Sequence, residues 1–239
     1  MGQLPTERIT PDKPPFTYVG VDYFGPMYIK SGRKHLKRYG CLFTCLTTRA
    51  VHIEIAHSLD TDSFICAMQR FVSRRGRPEV IYSDNGSNLK SGEKELRESI
   101  RELNQSHITK QLSQREIVWN FNPPYASHMG GVWERLVKSV KSALKSVIKE
   151  QVLTDEGLQT LMAEVEKILN DRPITQVSTD PNDSKALTPS MLLLLRVNTC
   201  MPPGVFDKND SYCRRWWRQV QYLANIFWRR WTSIYLLYR

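Results

Sequence analysis

Apolar positions in the first half of the chain follow the two-residue period of β-strands. Residues 17–29 form an extended apolar run, and two further runs of strand-forming residues cover 41–48 and 51–56. In the run at 51–56, apolar residues alternate with His and Glu, which predicts a strand with one buried face. Shorter apolar runs at 80–82 and 117–121 have the length of buried strands. Five strands are therefore predicted.

Helical spacing begins after these first three strands. Asp60 is suited to cap a helix over 61–73, which Gly76 and Pro78 would end. A long helix is predicted from about 132 to 149. The next helix is predicted to begin after Thr154, with one apolar stripe: Leu158, Leu161, Met162, Val165, Ile168 and Leu169. The order of strands and helices predicts an α/β fold, a mixed five-stranded sheet flanked by helices.

The remaining segments are more polar. Residues 90–115 are dense in Glu, Lys and Arg and are interpreted as a solvated helix and a polar loop, and 176–210 are predicted to be loop. A last amphipathic helix over about 212–234 combines aromatic residues with interleaved arginines. Because its tryptophans form a large aromatic surface, we expect this tail to pack on another subunit or domain.

Charge favours a polyanionic partner. The 239 residues have a net charge of +10, and no apolar run approaches a membrane span. The five cysteines form no Cys-x-x-Cys pair. Nucleic acid is therefore the expected partner, and a membrane is not.

Three acids carry the candidate chemistry. Asp22 lies within the first strand, Asp84 follows the fourth, and Glu134 lies near the start of the long helix. Carboxylates that converge from two strands and a helix can hold two hard divalent cations, which prefer oxygen ligands.

The sequences around these acids resemble the catalytic cores of retroviral and retrotransposon integrases. The matching strings are Tyr-Val-Gly-Val-Asp-Tyr-Phe-Gly-Pro, Val-Ile-Tyr-Ser-Asp-Asn-Gly and Gly-Gly-Val-Trp-Glu-Arg-Leu. The resemblance is greatest to integrases of Bel/Pao-type LTR retrotransposons. It implies a ribonuclease H-like fold, with Asp22, Asp84 and Glu134 as the catalytic and metal-binding residues. The segment between Asp84 and Glu134 is longer than is usual in retroviral integrases, and 90–115 can absorb the excess as a surface insertion.

The resemblance also implies a reaction. Two Mg²⁺ or Mn²⁺ ions per site would support trimming of the 3′ end of element DNA and its transfer to target DNA. It implies DNA as substrate, a homo-oligomer, and nuclear localisation after cytoplasmic passage in a retroelement particle.

Several basic and polar residues are candidate DNA contacts. Lys138, Lys141 and Lys145 share a helical face with Glu134. Residues 125–131 resemble the mobile loop before the catalytic helix. The further candidates are Asn85, His128, Arg214, Arg215 and Arg218.

The expected organisation is a linker at 1–14, a catalytic core at 15–175, and a linker with a truncated basic aromatic helical extension at 176–239. An amino-terminal zinc module is not present in the sequence. The main alternative is therefore a catalytically silent or repurposed DNA-binding remnant. A ribonuclease H proper is the weaker alternative, because the helix at 61–73 has one acid, Asp62.

Overall fold

The computed structural model describes residues 9–10, 12–83, 105–113, 116–121, 127–148, 152–178, 180, 183, 185–196, 206–212 and 215–237. The strands are β1 (Tyr18–Ser31), β2 (Lys34–Cys45), β3 (Val51–Ala56), β4 (Val80–Ser83) and β5 (Val118–Phe121). The helices are α1 (Thr61–Arg75), α2 (Gln105–Ser113), α3 (Ser127–Ile148), α4 (Asp155–Asn170), α5 (Pro189–Leu194) and α6 (Trp216–Leu237), with a 3₁₀ helix at Lys208–Tyr212.

The five strands form one sheet in the order β3-β2-β1-β4-β5. The first three strands make an antiparallel meander, and β4 and β5 each run parallel to their inner neighbour. Helices cover both faces of this sheet. The strand order and directions define a ribonuclease H-like fold, which confirms the predicted fold class.

Two hydrophobic clusters lie on opposite faces of the sheet. On one face α3, α4 and α6 pack against β1, β2 and β3. On the other face α1 and α2 cover the sheet. A bulge in β1 between Phe24 and Met27 changes which residues of β1 face α3. Beside it, Gly40 lies under the Phe24 ring, where an added Cβ would come within 2.0 Å of Cζ.

Two helix caps follow the prediction. Asp60 accepts a hydrogen bond from the Ser63 backbone N–H at 2.7 Å, and Thr154 accepts one from Gly157 at 3.2 Å. Such caps satisfy backbone donors that have no partner within the helix.

Strand β2 begins at Lys34, seven residues before the predicted start, and pairs with β1 through a tight turn at Gly32. This turn requires a positive φ of 60°, which glycine adopts without strain. Polar side chains on both strands hide the apolar alternation here, so the sequence pattern did not reveal the longer hairpin.

The prediction that residues 51–56 have one buried face is wrong, because all six residues of β3 are buried. Helix α1 brings arginines over the polar face of the strand. Residues 176–210 are also not all loop. Thr188 caps the short helix α5, which has Pro189 in its first turn, and a 3₁₀ helix follows at Lys208–Tyr212.

Helix α6 uses one of its faces within its own chain. This apolar face packs against α3 and α4, while packing of the tail on another subunit or domain stays a prediction. The buried residues of this face are Val220, Leu223, Ala224, Phe227 and Trp231. Trp216, Trp217 and Trp228 lie on the outer side and are about half exposed. None of the described helices combines the length and apolar character needed to cross a bilayer.

Candidate active site

Asp22 lies in the first half of β1 and faces α3. Side chains alternate along a strand, so Asp22 shares its sheet face with Phe24, which packs into the cluster under α3. The neighbours Val21 and Tyr23 point into the cluster under α1 instead. The carboxylate is largely covered, with its side chain 19% exposed. One oxygen accepts a hydrogen bond from the Tyr23 backbone N–H at 2.7 Å.

Lys141 of α3 contacts this carboxylate. Its Nζ lies 3.4 Å from both Oδ1 and Oδ2 of Asp22. Lys141 is itself half-buried, with 17% of its side chain exposed. The contact shows that Asp22 accepts a cation from the side of α3, and it fixes which face of α3 is turned toward β1.

Strand β4 lies beside β1 at this point. The parallel register pairs Gly20 with Tyr82 and Val21 with Ser83. Ser83 is the last residue of β4, and Asp84 and Asn85, which follow it, lie outside the described residues. Val21 and Ser83, the residues that precede Asp22 and Asp84 in the sequence, therefore lie side by side on neighbouring strands.

The helix that carries Glu134 starts earlier than predicted. Helix α3 begins at Ser127, so 127–131, including Gly130-Gly131 and the backbone of His128, are helical rather than loop. Two adjacent glycines cost a helix about 1 kcal/mol each, and packing of the amphipathic helix against the sheet offsets such a cost. The side chains of His128 and Glu134 lie outside the described part of the structure.

The candidate DNA-contacting residues are placed differently from one another. Lys138 and Lys145 are exposed on α3, whereas Lys141 contacts Asp22. Arg215 is exposed just before α6. Arg218 pairs with Asp210 at 2.7 Å, and Arg214 lies outside the described residues.

A second charged group, at the edge strand β3, was not predicted. The His52 ring lies between two carboxylates, with Nε2 2.9 Å from Glu54 and Nδ1 3.1 Å from Glu166. Arg70 and Arg74 each bind Glu54 at 2.7 Å, and Arg75 binds Glu166. We call these six residues the β3 charge cluster. The alternation in β3 and the arginines of α1 were the available signals, but their convergence depends on the tertiary fold.

The pKa values in the β3 charge cluster follow from these contacts. Burial opposes protonation of His52, but hydrogen bonds to Glu166 and Glu54 outweigh burial and raise the pKa of His52 above its ordinary 6.5. Burial also opposes ionisation of both glutamates. For each, the interaction with His52 helps to outweigh burial and lowers its pKa below the ordinary 4.5. The cluster is therefore most favourable when the histidine is protonated and both carboxylates are ionised.

Among the described residues, no group of three or more His, Cys, Asp or Glu side chains is arranged so that it could hold a metal ion. The side chains of Asp84 and Glu134 lie outside the described residues. The described member, Asp22, offers two oxygens to one cation. Its chemistry fits Mg²⁺ or Mn²⁺, which bind carboxylate oxygens.

No protein-family model matches the chain, and no curated protein matches it. Its strand order defines the class as ribonuclease H-like.

The solved structures that are similar to it include two at low identity. One is a chain of the simian T-cell lymphotropic virus intasome in complex with the PP2A regulatory subunit B56 gamma (15% identity, 87% of this chain, TM-score 0.48). The present chain covers 66% of that chain, which is just under two thirds of its length. The other is the HTLV-2 integrase catalytic core domain in complex with magnesium, in a dimeric form. It shares 14% identity over 75% of this chain and 97% of that chain, with a TM-score of 0.47.

Proposed function

We propose that this chain is the catalytic core of an integrase from a Bel/Pao-type LTR retrotransposon. In this proposal it trims the 3′ end of the element's DNA and joins the new 3′ hydroxyl to a phosphodiester of target DNA. The observation that carries the proposal is the position of Asp22 between the end of β4 and the basic face of α3.

The β1–β4 register supports a shared site for Asp22 and Asp84. Val21 and Ser83 are paired, and paired strands lie about 4.8 Å apart. Consecutive Cα atoms in a chain are about 3.8 Å apart. Asp22 and Asp84 each follow directly in the sequence on one member of this pair, which supports a site in which both carboxylates would hold metal.

The orientation of α3 supports the third acid. Glu134 and Lys141 are seven positions apart, which is nearly two full turns, so both positions lie on the same helical face. Helical side chains lean toward the helix N-terminus. Position 134 lies toward the helix N-terminus from Lys141, about 10 Å along the helix axis. The face that meets Asp22 is therefore also the face that carries Glu134.

Within this proposal Asp22, Asp84 and Glu134 hold two Mg²⁺ or Mn²⁺ ions. When bound, such ions supply Lewis acidity to the attacking and leaving oxygens of a phosphodiester. The residues of the chain position the DNA. The ammonium of Lys141 can exchange its Asp22 contact for a phosphate oxygen, and Lys138 and Lys145 extend the same face for the backbone beyond it.

The ion pair between Lys141 and Asp22 also favours the alternative function. A carboxylate that is permanently neutralised by an ammonium would not bind metal, and the chain would then be a DNA-binding remnant without catalysis. Both functions require DNA binding, so only metal-dependent chemistry separates them.

The test is strand transfer and disintegration on labelled oligonucleotides with Mn²⁺. The wild-type chain should produce joined products, and Asp22→Asn, Asp84→Asn and Glu134→Gln should each abolish them. Asp62→Asn, an exposed acid in the first turn of α1, is the matched control and should keep full activity. Full activity of Asp84→Asn would refute the site. Salt-dependent DNA binding without any product would support the remnant.

Assembly and localisation belong to the same proposal. Joining two DNA ends at one target requires two active sites at a fixed spacing, so we propose a homo-oligomer. Chromosomal DNA as target requires nuclear localisation, preceded by cytoplasmic passage in a retroelement particle.

A further inference from the structure

The hairpin between β1 and β2 extends beyond the rest of the sheet. β4 pairs only with Tyr18–Val21 of β1, and β3 pairs only with residues 39–44 of β2. Beyond these limits the two strands form a ribbon, and none of the strands that the structure describes pairs with its outer edges. We call residues 27–38 the basic ribbon.

The charge of the basic ribbon is one-sided. It contains five Lys or Arg residues and no acid, and the chain has no acidic residue between Asp22 and Glu54. Arg38 is bound to Asp155 at 2.8 Å. Among the residues that the structure describes, no carboxylate forms an ion pair with Lys30, Arg33 or Lys34. The exposed part of the ribbon therefore keeps a net positive charge.

The two faces of the basic ribbon differ. Directly opposed residues in an antiparallel pair point to the same face. Tyr28 is opposed to Lys37, and Lys30 to His35. All four side chains are exposed, and Tyr28 is 48% exposed. An exposed tyrosine surrounded by cationic side chains offers both a ring and charges to a ligand.

The other face anchors the basic ribbon to the body of the protein. Ile29 is fully buried and forms a parallel bridge with Leu153. The Lys30 backbone N–H donates to the Leu153 carbonyl at 2.8 Å. A two-stranded ribbon is only marginally stable alone. Here it is held in place from one side, which leaves the Tyr28 face open.

We propose that the basic ribbon is a binding site for duplex DNA, separate from the carboxylate site. This proposal rests on the proposed integrase function, because that function identifies the polyanionic ligand as DNA. The major groove of B-DNA is about 12 Å wide and admits a two-stranded β-ribbon. The paired part, five residues on each strand, is about 16 Å long at 3.3 Å per residue. It thus spans roughly half a turn of DNA, with its lysines directed to the phosphates.

The test measures binding of a labelled 20-base-pair DNA duplex by fluorescence anisotropy, with the full chain and without divalent ions. The ribbon variant combines four substitutions: Lys30→Gln, Arg33→Gln, Lys34→Gln and Lys37→Gln. The control variant removes the same charge from exposed lysines elsewhere: Lys110→Gln, Lys167→Gln, Lys185→Gln and Lys208→Gln.

The ribbon variant should bind at least about tenfold more weakly than the control variant at 0.1 M salt. The slope of log K against log salt should be shallower by about 0.9 for each lost phosphate contact. The charge-conserving variant Lys30→Arg, Lys34→Arg, Lys37→Arg should bind like wild type. Equal binding by the ribbon and control variants would overturn the proposal.

A cross-linking experiment covers the case in which the ribbon variant fails to fold. Replacing Tyr28 by photoreactive benzoylphenylalanine should give a DNA cross-link on irradiation, whereas the same replacement of exposed Val177 should not. No cross-link at position 28 would also overturn the proposal.

A duplex RNA of the same sequence tests the groove. The major groove of A-form RNA is deep and narrow, so RNA should compete at least about tenfold less well. Equal competition by RNA would refute insertion of the ribbon into the groove. If the ribbon variant loses binding while the wild type shows no Mn²⁺-dependent product, the ribbon site stands and the integrase proposal falls. If products form and the ribbon substitutions leave DNA binding unchanged, the integrase proposal stands and the ribbon site falls.

Discussion

Carboxylates occur in two contrasting settings on the same sheet. In the β3 charge cluster, Glu54 and Glu166 are enclosed by three arginines and a histidine at hydrogen-bonding distance. In the first half of β1, the described contact of Asp22 with a cation is to Lys141, at 3.4 Å. Buried carboxylates that are fully paired within the protein hold helices to strands. A carboxylate with a longer cationic contact can exchange it for a different cation, as the catalytic role proposed for Asp22 requires.

The largest expected effect is on stability in the β3 charge cluster. Glu54→Gln leaves Arg70 and Arg74 without their buried partner and should lower the free energy of unfolding by about 3–5 kcal/mol. Urea unfolding followed by circular dichroism measures this. Glu156→Gln, an exposed acid in the first turn of α4, is the control and should change it by less than about 0.5 kcal/mol. A loss for Glu54→Gln no larger than that of the control would end the structural interpretation of the cluster.

Asp22→Asn should affect activity strongly and stability little, in contrast to Glu54→Gln. Removing a metal-binding carboxylate should lower strand transfer at least about 100-fold, more than loss of a residue that only supports a ligand. The melting temperature should stay within a few degrees of wild type, because Asn keeps a side-chain oxygen that can accept from the Tyr23 backbone N–H and the ion pair with Lys141 is long. If Asp22→Asn instead destabilised the protein as strongly as Glu54→Gln, Asp22 would be a structural residue.

The pH dependence of stability should come from the β3 charge cluster. The raised pKa of His52 contributes stability that is complete below its ordinary value of 6.5 and is lost as pH rises through the raised value. The lowered pKa values of Glu54 and Glu166 contribute stability above 4.5 that is lost as pH falls through them. The free energy of unfolding should therefore be greatest between about pH 4.5 and 6.5.

Denaturant titrations from pH 4 to 9 check this pH dependence. His52→Asn should remove most of the decline above pH 6.5, and His35→Asn, on the exposed ribbon, should leave it unchanged. If the free energy of unfolding of His52→Asn still declined above pH 6.5, groups other than His52 would cause the decline.

The smallest expected effect concerns Lys141. Lys141→Met removes the ammonium that competes with a metal for Asp22. A partly exposed ion pair contributes up to about 1 kcal/mol, so the Mn²⁺ concentration for half-maximal activity should fall by up to about fivefold. Lys145 lies on the same helical face but is exposed, so Lys145→Met should leave the Mn²⁺ concentration for half-maximal activity unchanged. An identical response of the two variants would show that Lys141 does not compete with the metal.

The same contrast explains what the sequence could predict. Asp22 was predicted as a site residue because a lone acid inside an apolar strand is costly to bury without partners. The order of strands and helices along the chain followed from the apolar patterns, whereas their order in the sheet did not. The β3 charge cluster was missed because Glu54 and Arg74 are far apart in sequence, and alternation alone cannot show that α1 covers the polar face of β3.

The basic ribbon and the partner of helix α6 could not be predicted, for related reasons. Residues 34–38 have too few apolar side chains for a period of two to be visible, yet pairing with β1 makes them part of strand β2. The sequence pattern predicted the apolar stripe of α6, but it could not predict which surface the stripe packs against. A stripe has the same pattern whether it packs on its own chain or on another subunit.

Mn²⁺ binding to the full chain in complex with duplex DNA, measured by electron paramagnetic resonance, tests directly whether the three acids form a metal site. Wild type and the control Asp62→Asn should bind Mn²⁺ equally, and Asp22→Asn, Asp84→Asn and Glu134→Gln should each weaken Mn²⁺ binding at least about tenfold. Wild-type Mn²⁺ affinity in all three variants would contradict a metal site formed by Asp22, Asp84 and Glu134.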